Sequence, residues 1–266
     1  MSGDGAGKPA RSDWVTAYYA ALEFFWWEPQ HLGRRKHASA QLDTLGKVSR
    51  HIHGIEVTLN QLLNQFFTLA PVSLRAELFE ARFGTAFAPL DFWGDDTVRA
   101  LGVESIVQPD LLFVSDSEVV SIEMKIRAKC SVAQVLKYAL LGVAVESHTG
   151  RRRSHSLLLL GKGDFSDLWQ ERFASVAELQ QAMQADVASF LSEGRKDFRP
   201  HEERFREVAA GMRIEFMSYA DLAGFLQAKR PPASEVGPAA EVYRKLIDGV
   251  IGDLDRRHLA NVETRE

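Results

Sequence analysis

Residues 109–127 constrain the fold of this chain more than any other stretch. Leu111, Leu112, Phe113 and Val114 form one apolar run. The next run alternates with period two. Val120, Ile122, Met124 and Ile126 fall on one face of a strand, and Ser121, Glu123, Lys125 and Arg127 on the other. The break at Ser115, Asp116, Ser117 and Glu118 is turn-rich, so the two runs are expected to pair as a hairpin. Folding back brings Asp110, which opens the first run, close to Glu123 and Lys125. An ordinary hairpin with solvated charges would carry the same pattern.

Carboxylates gathered at one point repel each other unless a cation neutralises them. Hard oxygen ligands select Mg²⁺ or Mn²⁺. Such an ion orients a water, lowers its pKa and stabilises charge at phosphorus. A neighbouring lysine can hold the attacking water or neutralise the scissile phosphate.

Pro109-Asp110 followed by Glu123-x-Lys125 resembles the signature of the PD-(D/E)xK nuclease superfamily. The resemblance implies an α/β, restriction-endonuclease-like core: a helix, a three-stranded meander, a helix and a strand, here with additional N- and C-terminal helices. It also implies metal-dependent phosphodiester hydrolysis, with Asp110 and Glu123 as metal ligands and Lys125 as the water-positioning residue. After the second run, Ser131 can cap a helix carrying Val132, Val135, Leu136, Ala139, Leu140 and Val143 at helical spacing. Gln134 and Tyr138 share one face of it. They resemble the Q-x-x-x-Y motif of RecB-type members, which implies that they line the DNA side of the site. A surface Gln and a half-buried Tyr on an amphipathic helix would read the same way.

Residues 47–70 form a further helical pattern, with Ile52, Ile55, Leu59, Leu62, Leu63, Phe66 and Phe67 on its apolar stripe. Glu56 sits at the edge of that stripe, where a carboxylate needs a partner or an ion. The resemblance makes Glu56 a third metal ligand and catalytic residue, with His53 the runner-up; an interfacial ion pair is the alternative. Ser156 and Leu157 to Leu160 form a short continuous apolar run ending at Gly161, as expected of a central strand reached by a crossover. The first strand of the meander is placed at 97–106, where Val103 and Ile106 could pack.

The net charge of −4 does not advertise a nucleic-acid binder, but phosphate contact needs only local basic clusters. Arg34-Arg35-Lys36-His37 and Arg151-Arg152-Arg153 are two such runs. The second is preferred for DNA contact, with Lys129 and Lys137 adding charge; solvated loops are the alternative for both. The lone Cys130 rules out an internal disulfide and fits a reducing cytoplasm. It reads as a packed thiol, not a nucleophile.

Residues 1–10 are expected to be disordered and 11–95 to be helical, including the first core helix. The nuclease core is placed at 96–165, and a mainly helical elaboration at 166–266 with one extra strand at 212–217. Helices are expected at 176–191, 219–227 and 239–259, and a short helix plus loop at 71–94. The aromatic stretch at 13–27 is expected to pack on the core or to meet a partner or second copy. The expected activity is Mg²⁺-dependent (or Mn²⁺-dependent) cleavage of DNA in the cytoplasm, in repair and processing or in defence against foreign DNA. The alternative is a catalytically silent nuclease-like domain that binds nucleic acid or a protein.

Overall fold

The computed structural model describes residues 13–27, 52, 56–101, 107–126, 129–192 and 201–260. His53, the run Arg34-Arg35-Lys36-His37, residues 1–10 and residues 102–106 lie outside the described residues.

The leucine run becomes the middle of a sheet because every one of its side chains finds apolar cover. Leu157 and Leu159 face one side, Leu158 and Leu160 the other, and none is more than 1% exposed. In chain order the described elements are α1 (Trp14–Trp27), α2 (Glu56–Leu69), α3 (Val72–Phe83), β1 (Asp91–Trp93), the short α4 (Asp95–Arg99), β2 (Leu111–Val114) and β3 (Glu118–Lys125). Then follow α5 (Val132–Thr149), β4 (Ser154–Gly161), a 3-10 turn (Phe165–Trp169), α6 (Val176–Ser192), α7 (Glu202–Gly211), β5 (Arg213–Ser218), α8 (Tyr219–Lys229) and α9 (Pro238–Arg256). The strands form one mixed sheet in the order β1-β2-β3-β4-β5. The pairs β1–β2 and β2–β3 are antiparallel; β3–β4 and β4–β5 are parallel.

Helices cover both faces. Val120, Ile122 and Met124 share a core with the inner sides of α2, α3, α8 and α9. Val119, Leu157 and Leu159 share the other with α5, α6 and α7. Local chemistry fixes the helix ends that matter here. Ser131 caps α5, its Oγ accepting from the Gln134 backbone N–H at 3.1 Å. Gly150, at φ 67°, ends that helix in the left-handed region. A capping box between Ser218 and Asp221 starts α8 directly at the end of β5.

The hairpin, the Ser131-capped helix, the leucine strand, the extra strand and the helices of the C-terminal part occur where the pattern placed them. The first strand, placed at 97–106, does not do so over its described residues 97–101. Thr97, Val98 and Arg99 belong to α4, and the strand that pairs with β2 is Asp91–Trp93. Three residues are too few for a period-two pattern to show, and Gly94 starts the helical turn, its carbonyl accepting from the N–H groups of Thr97 and Val98. Phe92 of β1 packs against Phe113 at 5.4 Å.

The described aromatics of α1 are packing residues. Val15 and Tyr19 are buried, the Trp14 indole donates to the Lys245 carbonyl at 3.0 Å, and the Tyr19 hydroxyl donates to Asp253 at 3.0 Å. Arg257 ion-pairs with Asp253 at 2.8 Å and donates to Thr58 Oγ1 at 2.9 Å, tying α1, α2 and α9 together. Among the described residues, no helix is long and apolar enough to cross a membrane.

Candidate active site

The register of the hairpin assembles the site. Leu111 pairs with Ile122, so one step further Asp110 stands opposite Glu123. Asp110 Oδ2 accepts from the Met124 backbone N–H at 2.6 Å. Glu123 alternates onto the face that α5 covers and is only 3% exposed. Its charge is therefore not solvated, which removes the ordinary-hairpin reading.

Four side chains meet Glu123 or its neighbours. The Lys125 ammonium lies 2.6 Å from Glu123 Oε1 and 3.8 Å from Glu56 Oε2. Tyr138, buried on α5, donates its hydroxyl to Glu123 Oε2. The Gln134 amide donates to Oε1 at 3.4 Å. Glu56, at the start of α2, accepts from the Ile126 backbone N–H at 2.7 Å and so tethers α2 to the end of β3. Glu56, Asp110, Glu123, Lys125, Gln134 and Tyr138 thus come together at one end of the β2–β3 hairpin. Lys137 lies half-buried on α5, three residues beyond Gln134.

The placement changes what two of the expected DNA contacts can do. Tyr138 is 2% exposed and spends its hydroxyl on Glu123, so its reach is to the carboxylate and not to a ligand in solvent. Arg151, Arg152 and Arg153 lie at the opposite end of the sheet, before β4, with about 25 Å of strand between them and the site. Their charges are used there: Arg151 pairs with Asp116, Arg152 with Glu207 at 3.5 Å, and buried Arg153 donates to the Ser115 carbonyl at 2.6 Å. Lys129 is nearer the site and donates to the Asp167 carbonyl at 2.5 Å.

Three residues that the sequence patterns did not single out complete the surroundings. Asn60 Nδ2 donates to Asp110 Oδ1 at 2.7 Å, and Asn64 Nδ2 donates to the Asp110 carbonyl at 3.1 Å. Their spacing from Glu56, four and eight residues on, was a signal that they share its helix face. Tyr219 opens α8 with its hydroxyl buried and unpartnered among the described residues. Nothing in the sequence near Tyr219 marked it.

The electrostatics follow from burial. Loss of solvent, and then the charge of Glu123, push the Asp110 carboxyl up to about 7, against the pull of the Met124 N–H and Lys125. Burial works to lower the Lys125 pKa, but the adjacent Glu123, with Glu56 and Asp110, outweighs it and the net shift is upward. Burial first, and then Asp110 and Glu56, raise Tyr219 well above the usual phenol value, so its hydroxyl feels the acidic cluster. Burial also lifts the Cys130 thiol to about 12, which leaves it a packed thiol.

Among the described residues, no group of three or more His, Cys, Asp or Glu side chains is gathered closely enough to hold a metal ion as it stands. The donors are nonetheless of the right kind for a hard divalent cation: carboxylates in excess of nearby positive charge, beside a phenol unpartnered among the described residues. The Lys125 ammonium stands between Glu123 and Glu56, where a cation would neutralise both.

No protein-family model matches the chain. No curated protein and no solved structure matches it either.

Proposed function

We propose that the chain is a metal-dependent nuclease that hydrolyses phosphodiester bonds of DNA, with a restriction-endonuclease-like core of the PD-(D/E)xK kind. The observation that carries this reading is the meeting of Asp110, Glu123 and Lys125 from adjacent strands with Glu56 from α2. The order α2, β1-β2-β3 meander, α5, β4 supports it. So does the use of Gln134 and Tyr138, four apart on α5, to hold one carboxylate.

Asp110, Glu123 and Glu56 would hold Mg²⁺ or Mn²⁺, which when bound would supply Lewis-acid stabilisation and an activated water. Such binding would require the Lys125 ammonium to leave Glu123, and the freed ammonium would then face the scissile phosphate or the water. Tyr138 and Gln134 keep Glu123 oriented during that exchange. Asn60 and the Met124 N–H fix Asp110 in one rotamer. A cytoplasmic setting, with Cys130 free, belongs to the same reading.

The test is cleavage of linear, circular and single-stranded DNA with Mg²⁺ or Mn²⁺, with EDTA and Lys125→Ala as controls. Loss of cleavage in both controls supports the nuclease, and circular substrate separates endonucleolytic from exonucleolytic action. A second reading, a silent nuclease-like domain, is favoured by the closed Lys125–Glu123 pair. DNA binding without metal-dependent cleavage of any substrate would select it.

A further inference from the structure

Among the described residues, two buried side chains leave their sole polar atom without a hydrogen-bond partner: the Trp169 indole and the Tyr219 phenol. Trp169 lies in the apolar core on the α5 side of the sheet. Tyr219 lies in the other core, with Ile122 and Met124 of β3 and Leu59 and Leu62 of α2, and is 0% exposed. A phenylalanine would fill the same apolar space without burying an unpaired hydroxyl. Buried polar groups are normally satisfied, so the hydroxyl of Tyr219 calls for a partner.

The sheet register brings Tyr219 to the end of the sheet where the candidate site is built. Lys125 pairs with Gly161, and Gly161 with Ser218, so the three form one row across β3, β4 and β5. Tyr219 follows Ser218 as the first residue of α8. The capping box that fixes this turn uses the Ser218 and Asp221 side chains and asks nothing of the phenol. Besides burial, the strongest influences on the hydroxyl are the charges of Asp110 and then Glu56. Arg257, already paired with Asp253, follows, and then Glu123. In the metal-free protein the Lys125 ammonium neutralises Glu123 and Glu56 but does not reach the hydroxyl.

We propose that Tyr219 is a positioning residue of the candidate site, its hydroxyl oxygen accepting a hydrogen bond from a water of the divalent cation that Asp110, Glu123 and Glu56 would hold. The inference rests on the metal-dependent reading for the identity of the ion. Small divalent cations bound by a few carboxylates keep several of their waters, and each such water donates strongly. A lysine ammonium brings no such shell, which is why the pair of Lys125 with the carboxylates leaves the phenol unserved. The buried phenol stays neutral beside the acidic cluster, so it offers an acceptor oxygen and keeps its own proton to donate. Holding a water on the ion from the α8 side fixes the orientation of the hydration shell, as outer contacts of metal sites do.

The test titrates the full chain with MnCl₂ in a calorimeter, comparing wild type, Tyr219→Phe and Asp110→Asn, with urea denaturation of each in EDTA. Removing a group that holds a metal site from outside its ligands costs about 10–100-fold in affinity. Tyr219→Phe is therefore expected to bind Mn²⁺ at least about ten-fold more weakly than wild type, with an unchanged urea midpoint in EDTA. A merely structural hydroxyl would not give that combination. Asp110→Asn is expected to lose Mn²⁺ binding altogether. Affinity of Tyr219→Phe within about three-fold of wild type overturns the proposal. So does a lowered urea midpoint in EDTA, which would give the hydroxyl a structural partner. Metal-dependent DNA cleavage, measured in parallel, separates the two readings. Weakened Mn²⁺ binding by Tyr219→Phe, with no cleavage by wild type, keeps the hydroxyl at the ion and removes the nuclease. Cleavage by wild type, with undiminished Mn²⁺ binding by Tyr219→Phe, does the reverse. No Mn²⁺ binding by wild type overturns both.

Discussion

Replacing Asp110 with asparagine should stabilise the metal-free protein at alkaline pH and leave it nearly unchanged in mild acid. Asp110 is a carboxyl whose folded-state pKa is about 7 against an ordinary 3.8, because burial and then Glu123 disfavour its charge. The stability supplied by the protonated form is complete below the ordinary value and is lost as the pH rises through the folded value. The full shift corresponds to about 4 kcal/mol, of which about 2–3 kcal/mol develops between pH 5 and pH 8. A neutral amide at this position carries no such penalty. It keeps one acceptor of the two that serve Asn60 and Met124, so the substitution itself costs about 1 kcal/mol. Wild type and Asp110→Asn should therefore be roughly level at pH 5, with the variant ahead by about 2–3 kcal/mol at pH 8. Urea denaturation in EDTA at pH 5, 6.5 and 8 measures this directly. Added Mg²⁺ should then stabilise wild type at pH 8 and leave the variant where it was. Equal pH dependence of the two proteins, or a variant weaker than wild type at pH 8, would refute the account of a strained carboxylate cluster.

On the proposed nuclease reading Lys125→Ala should abolish cleavage, and independently of it the substitution should destabilise the metal-free protein by about 2–4 kcal/mol, since it strips a buried carboxylate of its counter-ion; denaturation with and without Mg²⁺ reads the effect and any recovery. Tyr138→Phe removes the hydroxyl that donates to Glu123 and should cost about 1.5–3 kcal/mol in chemical denaturation. Tyr219→Phe deletes a buried hydroxyl without a described partner, so in EDTA its stability should stay within about 0.5 kcal/mol of wild type; a loss above ~1 kcal/mol would show that the hydroxyl has a partner. Gly142→Ala should destabilise by about 1–3 kcal/mol in thermal melts, because a Cβ there would lie 2.4 Å from the His155 ring, which Glu146 holds in place at 3.0 Å.

Much of the architecture was legible because it rests on local rules. Alternation in 119–126 fixed which β3 residues share a face, and the turn-rich break fixed the hairpin register that sets Asp110 against Glu123. Ser131 marked the start of α5, and continuous apolarity marked β4 as a two-sided strand. The misplaced first strand shows where such rules stop. Asp91–Trp93 is a strand only because β2 is there to pair with it, and residues 97–99 take a helical turn despite apolar residues nearby. The basic run at 151–153 shows the same limit: its composition was plain, but which end of β4 it occupied relative to the site was a matter of topology.

The sequence by itself determined the two paired strands, the Glu123–Lys125 face and the Gln134–Tyr138 face, since each depends on periods of two or four residues within one element. Tertiary structure alone decided that Tyr138 is enclosed with its hydroxyl on Glu123, that Asn60 and Asn64 bracket Asp110, and that Tyr219 lies beside the cluster. It also decided that Asp110 titrates near 7. Those properties depend on burial and on charges brought from elements far apart in the chain, and neither has a signature in local spacing.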